Sequence, residues 1–234
     1  YRACVAWADH QIGVVLNELA NLGLENDTAI VLHSDHGWSL GESGQWQKFT
    51  NSELGTRVPL VVSVPWLSAT HGLRTSALAE LIDVLPTLAE LGGVPLPGGE
   101  SFDGDSLVPV LKAPATATVK SLALSQFPRC PSNLANRSDW WDHNACEFED
   151  KAVFPYMGYT LRNDKWRYVE WLPWNGATLA PDWSSPVGRE LYSHVGDTGQ
   201  KDYDSWEHGN EAEAQPAVVA ELSKQLRAAF APQQ

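Results

Sequence analysis

The stretch HSDHGWSLGE, residues 33–42, sets an acid and an imidazole side by side at Asp35 and His36, directly after the apolar run TAIVL. Such a pair at the mouth of a strand makes either a metal site or a capped turn, and the pair alone does not choose between them. The place is a functional one. A strand of consecutive apolar residues is expected to be covered on both faces, so its polar end opens at the carboxyl edge of a sheet, where α/β proteins keep ligand sites. In a continuing strand Asp35 and His36 would point to opposite faces. Both reach one centre only if the backbone turns, which Gly37 permits. His33 and Ser34 either border the same pocket or serve as hydrogen-bonded structure at the strand end. Lys48 follows on a polar loop that contains Gly41 and Gly44. A lysine there is either solvated or, where the glycines turn the loop back, brought to the sheet edge as a point charge. Trp38 and Trp46 either line a sugar-binding mouth or cover a junction between lobes as amphipathic aromatics.

The elements that must position these residues read as an α/β pattern. The opening segment has helical periodicity at Val5, Ala8, Ile12, Val15 and Leu19, with Gly23 as its stop. The run DTAIVLHSD reads as a strand, and VPLVVSV as a second buried strand whose proline stands at its start. Asp83 is placed to cap a helix, VLPTLAELGG, with Pro86 in the first turn; a Pro/Gly-rich surface loop follows, then a short element over Leu107 to Leu111. The composition shifts to small residues near 113–118, which predicts two domains, residues 1–115 and 116–234. In the second, YMGYTLRNDKWRYVEWL predicts a hairpin about Asn163-Asp164. Val218, Leu222, Leu226 and Phe230 then mark an amphipathic helix, which gives a small α+β lobe.

With 234 residues and 43% hydrophobic content the chain can bury a sizeable core. A net charge of -13 without a basic run argues against nucleic acid as a partner. No apolar stretch approaches the roughly 20 residues of a membrane helix. The helical pattern starts at once and without an initiator Met, as expected of the later part of a longer protein. Cys4 reads as a small core residue beside the first helix's stripe. Cys130 and Cys146 bracket a polar insert and are expected to pair in an oxidising compartment. The Asn26 and Asn136 sequons also suit a secretory route. The expected location is therefore secreted, lysosomal or periplasmic.

The series SDHGWSLGESGQWQK, RVPLVVSVP, LIDVLPTLAELGGVPLP with DGDSL, and RELYSHVGD resembles, in order, the C-terminal half of type I sulfatases. With SQFPR and MGYTLR it is most similar to the iduronate-2-sulfatase branch. The resemblance implies the C-terminal part of an alkaline-phosphatase-like sulfatase sheet sandwiched by helices, plus a C-terminal subdomain of antiparallel sheet and helix. It implies that Asp35 and His36 are calcium ligands, with magnesium the alternative ion, and that Lys48 reaches the sulfate of a sulfated carbohydrate or other sulfate ester near Trp38. The chemistry agrees, because sulfate ester cleavage needs a divalent cation on the ester oxygens and hard oxygen donors suit calcium. A lysine against the transferring oxygens stabilises charge best in a water-poor site.

Two departures bound this reading. The family nucleophile is a formylglycine made from Cys in Cys-X-Pro-Ser-Arg, whereas Cys130-Pro131-Ser132-Asn133 lacks both the spacer and the Arg. The nucleophile is thus expected in an upstream part of the same polypeptide, as are the family's other metal and sulfate ligands. The alternatives are a phosphoester or phosphonate hydrolase of the alkaline phosphatase superfamily and a non-catalytic, Trp-rich glycan-binding protein.

Overall fold

The computed structural model describes residues 1–96, 102–129, 146, 149–199, 202 and 205–230. By contact the chain divides into two compact units, Tyr1–His33 with Pro59–Thr75 and Ile82–Ala117, and Ser34–Val58 with Ser76–Leu81 and Thr118–Gln234. The segment that carries Asp35, His36, Trp38 and Lys48 therefore clusters with the C-terminal half of the sequence.

In the first unit the periodic opening segment is helix α1, Arg2–Asn21. It stops where Gly23 takes φ +68° and donates its N–H to the Ala20 carbonyl at 2.9 Å. Strand β1, Ile30–His33, pairs antiparallel with β4, Leu60–Ser63, with Val31 opposite Val62. Neither strand is interior. Leu32 and Val61 stay 41% and 56% exposed, and α1 buries none of its residues. The free thiol of Cys4 is likewise exposed rather than in a core. These corrections have one cause: an apolar run is compatible with burial on two faces, but a two-stranded ribbon and its helix, among the described residues, have too little apolar surface set against them to achieve it.

Asp83 is also used differently from expectation. It precedes helix α3, Val84–Leu91, in helical rather than extended backbone, and its side chain makes no capping bond. Its buried carboxylate accepts instead from the Asp105 N–H at 2.8 Å, while the Thr87 hydroxyl donates to the Asp83 carbonyl and accepts from the Leu107 N–H. The loop before α4, Val108–Lys112, is thereby tied to α3.

The second unit is built on an antiparallel sheet. Strand β5, Ala123–Arg129, pairs with β6, Tyr156–Arg162, and β6 with the ten-residue β7, Trp166–Asn175. The other edge of β7 takes β8, Ala180–Pro181, and β9, Gly188–Ser193. The β6–β7 hairpin closes at the predicted Asn163-Asp164, where the Asn163 side-chain oxygen accepts from the Lys165 and Trp166 N–H groups. Strands β5 and β9 carry no strong alternation and were not anticipated as strands.

Period-2 geometry gives the sheet two faces with different duties. Met157, Tyr159 and Leu161 of β6, Tyr168 and Leu172 of β7 and Leu191 of β9 form one hydrophobic face. It packs with Leu222 and Leu226 of helix α5, Pro216–Phe230, as the stripe predicted. Burying each such leucine stabilises the fold by about 1.5–3 kcal/mol. Cys146 lies in this cluster and is disulfide-bonded, while Cys130 is outside the described residues. The opposite face presents Gly158, Arg162, Arg167 and Trp171. There the sheet receives the segment containing β2, Ser39–Leu40, β3, Trp46–Gln47, and the one-turn helix α2, Glu53–Thr56. Asn51 marks the junction, donating its amide to the Gly158 carbonyl at 3.0 Å. A Cβ at Gly158 would meet that amide at 2.9 Å and the Trp171 ring at 2.6 Å, so glycine is required there.

Candidate metal and sulfate site

After β1 the backbone bends at Asp35 and His36, as the pair requires. The Ser34 hydroxyl donates to the His36 carbonyl at 2.6 Å, and the His36 N–H donates to Asp35 Oδ1 at 3.0 Å. His36 Nδ1 lies 2.8 Å from the Gly37 carbonyl oxygen. A carbonyl only accepts, so Nδ1 carries a ring proton, and Nε2 is the nitrogen that takes either a second proton, as an imidazolium beside Asp35, or a cation. Nε2 in turn lies 3.4 Å from Asp35 Oδ2, and the Asp35 side chain is 81% exposed. A carboxylate oxygen and an imidazole nitrogen side by side, with the second ring nitrogen anchored on a backbone carbonyl, is the donor arrangement of a cation site. The residues present therefore fit a hard divalent ion, with Asp35 as the charged ligand. Desolvation pushes the Asp35 carboxyl up, but the His36 charge, backbone N–H groups and the Lys48 charge outweigh it. The group is held below its ordinary 3.8.

Gly37 does something other than turn the chain. A Cβ there would lie 1.8 Å from the Leu54 carbonyl oxygen, and the Gly37 N–H donates to the Gly55 carbonyl at 2.9 Å. The glycine allows the Asp35-His36 loop to lie directly on the backbone of α2. Gly41 is the residue that makes the turn, with φ +117°, and its α-carbon is faced by the Trp46 ring. Strands β2 and β3 pair across it, Leu40 opposite Trp46, and bring the chain back to Lys48. Lys48 is half-buried, with its ammonium 5.8 Å from the Phe49 ring centroid. The Trp38 ring stands 6.3 Å from that of His36 and is 40% exposed, and Trp46 is 67% exposed. Asp35, His36, Trp38 and Lys48 thus share one segment of one unit, with the Lys48 charge felt at Asp35.

Beneath this segment lies a cluster that motif reading passed over. Arg57 Nη1 is 3.2 Å from Glu53 Oε2 and 2.6 Å from Asp197 Oδ2, and Arg162 Nε is 3.0 Å from Glu53 Oε1. The Glu53 N–H donates to Glu207 Oε2 at 3.0 Å, and Glu207 also pairs with Arg167. His194 Nδ1 is 2.9 Å from Asp197 Oδ2, its Nε2 faces Glu207 at 3.4 Å, and its ring stacks on Trp206. Burial pushes the Asp197 and Glu207 carboxyls up, yet bonds from His194 and the arginine charges more than offset it, and both are held below their ordinary values. Donor atoms of Glu53, His194 and Asp197 come within 4.8 Å of one another, as in a metal centre. Guanidinium groups already stand against these carboxylates, so the cluster is an ion-pair clasp rather than a cation site. The signal that could have found it was the pair of arginines flanking the hairpin turn, Arg162 and Arg167, which share a face of otherwise apolar strands.

Residues 1–94 match the family model described as Sulfatase. Iduronate 2-sulfatase of Mus musculus is 31% identical over 234 aligned residues, covering 82% of this chain and 41% of that protein. Among solved structures, one from Bacteroides thetaiotaomicron named as a sulfatase superposes with TM-score 0.68 at 21% identity, over 94% of this chain and 40% of that one. The phosphonate monoester hydrolase SpPMH of Silicibacter pomeroyi gives TM-score 0.60 at 26% identity, over 93% and 37%. The chain spans about two fifths of the length of the relatives it matches. The fold is therefore that of these solved sulfatase structures, a mixture of helix and antiparallel sheet. With the Asp-His pair, the lysine and these relatives in view, the chain is similar to the sulfatase family and, within it, to an iduronate-2-sulfatase-like branch.

Proposed function

We propose that the intact protein is a calcium-dependent sulfatase that hydrolyses a sulfate ester of a sugar, with magnesium as the alternative ion. The observation that carries this reading is the Nδ1 anchor of His36 on the Gly37 carbonyl, which leaves Nε2 beside Asp35 Oδ2 in a chain similar to this family. Asp35 and His36 hold the cation. When bound, the ion supplies Lewis-acid polarisation of the ester oxygens. Lys48 places its ammonium against the negative charge of the sulfate, and Trp38 gives the sugar ring an apolar shelf. The covalent step needs an activated nucleophile, which this reading assigns to a formylglycine on the remainder of the polypeptide. The exposed apolar side chains of α1, β1 and β4, such as Trp7, Val15, Leu32 and Val61, support docking of that remainder. The disulfide at Cys146 supports a secreted, lysosomal or periplasmic location, and the charge of -13 supports neither nucleic acid nor an anionic membrane surface as partner.

A second reading, a phosphonate or phosphate ester hydrolase, is favoured by the likeness to the Silicibacter pomeroyi enzyme. Assay of the intact protein with a sulfated monosaccharide and with a phenyl phosphonate ester, each with calcium and with chelator, separates them. Calcium-dependent release of sulfate is expected, and residues 1–234 alone should release none. Turnover confined to the phosphonate ester overturns the first reading. Calcium-independent binding of the sulfated sugar without turnover favours a glycan-binding protein.

A further inference from the structure

We propose that the clasp of Glu53, Arg57, Arg162 and Asp197 is a positioning element for the metal pair, an inference that rests on the assignment of Asp35 and His36 as ligands. Helix α2 is a single turn of four residues, too short to persist by its own hydrogen bonds. Its buried residues are Glu53 and Gly55, and its one large apolar side chain, Leu54, is only half-buried. What fixes it to the sheet is charge. Glu53 bridges Arg57 and Arg162, Arg57 continues to Asp197, and the Glu53 N–H is held by Glu207.

Both chemical groups of the site are seated on this turn. The Gly37 N–H donates to the Gly55 carbonyl, and the Leu54 carbonyl fills the space a Gly37 side chain would need. Since the Gly37 carbonyl also accepts from His36 Nδ1, one peptide residue links the α2 backbone to the orientation of the imidazole. On the other side, a Cβ at Gly55 would lie 3.3 Å from the Lys48 carbonyl oxygen and 2.7 Å from the Thr50 methyl, so the Lys48 backbone packs against the same turn. A shift of α2 away from Arg162 and Asp197 thus carries the hydrogen bond that orients His36 and the strand end that carries Lys48. Groups that orient a metal ligand, rather than bind the metal, tune affinity by about 10–100-fold.

The test compares Glu53→Gln with Glu170→Gln in the intact protein, reading the exchange rate of the Gly37 amide and the calcium affinity by titration calorimetry. Glu170 is more deeply buried, and it lies on the other face of the sheet. Glu53→Gln should speed exchange at Gly37 and weaken calcium binding by about 10–100-fold. Glu170→Gln should lower the melting temperature at least as much and change neither. Should Glu53→Gln fail to fold, Arg57→Gln should reproduce its effects, while Arg57→Lys, whose ammonium can bridge the same two carboxylates, should restore both readouts. Wild-type Gly37 exchange and wild-type affinity in Glu53→Gln or Arg57→Gln overturn the proposal. Asp35→Ala, run alongside, tests the metal reading separately: if it binds calcium as wild type does, that reading fails, and the exchange rate at Gly37 still decides whether the clasp positions the loop.

Discussion

The two faces of the C-terminal sheet each bury a carboxylate among arginines, yet only one of them bears on the chemistry. On the face covered by α5, Glu170 is fully buried and accepts from the Tyr168 hydroxyl at 2.8 Å, the Ser223 hydroxyl at 2.5 Å and Arg227 at 2.9 Å, with Arg189 3.7 Å away. Every partner belongs to the sheet or to α5, so this network fastens a helix that hydrophobic packing already holds. On the opposite face Glu53 and Asp197 fasten a turn whose one large apolar side chain is only half-buried, and that turn carries the Asp35-His36 loop and the strand end at Lys48. Similar ionic chemistry therefore serves stability on one side and geometry on the other. The difference lies in what rests on each network, not in the strength of its bonds.

The largest expected effect is on the stability side. Glu170→Ala leaves the Tyr168 and Ser223 hydroxyls without their acceptor beside the partly exposed Arg227 and Arg189, at a cost of about 1–3 kcal/mol for each hydroxyl left unpaired. Urea unfolding should show that loss, while calcium affinity stays at the wild-type value; a parallel fall in affinity would erase the contrast between the faces. Next comes Lys48→Ala, which should remove about 2–4 kcal/mol of transition-state stabilisation from sulfate ester hydrolysis with the urea midpoint unchanged. Unaltered turnover would return Lys48 to solvent.

The smallest effects are those of pH, and Asp197 on one face and Tyr168 on the other should act on opposite limbs. Asp197 and Glu207 have folded-state pKa values below their ordinary 3.8 and 4.5, so near and below those values the unfolded chain binds more protons than the folded one. Their contribution is present at neutral pH and is lost as pH falls below the ordinary carboxylate range. Tyr168 is the reverse: burial first, then its bond to Glu170, push the phenol above its ordinary 10.0. Its contribution is present at neutral pH and lost as pH rises beyond that value. Asp197→Asn should flatten the acid limb of stability against pH and Tyr168→Phe the alkaline limb. If either substitution flattens the other's limb, the assignment of charge to the two faces is wrong.

Much of this architecture is legible in the sequence because it rests on local periodicity. Helix α5, the β6–β7 hairpin and helix α1 follow from repeats of apolar residues and from turn residues that act within a few positions. The bend at Asp35 and His36 is legible for the same reason, since it ends an apolar run. Other features depend on partners far along the chain. Gly37 looks like a turn residue but serves close approach to Leu54, and Asp83 looks like a cap but holds Asp105. The clasp joins positions 53, 57, 162, 197 and 207, and no spacing rule connects residues brought together by sheet register. The apolar runs of β1 and β4 mislead in the other direction, because composition states what could be buried, not what is set against it.

The central claim is that the bend after β1 holds a cation between Asp35 and His36. Calcium titration of the intact protein, its Asp35→Ala variant and an Asp27→Ala control tests it most directly. The account predicts saturable binding in the wild type and the Asp27→Ala control, and none in Asp35→Ala, because a hard cation has lost its charged ligand. Equal calcium affinity in Asp35→Ala and wild type would contradict it.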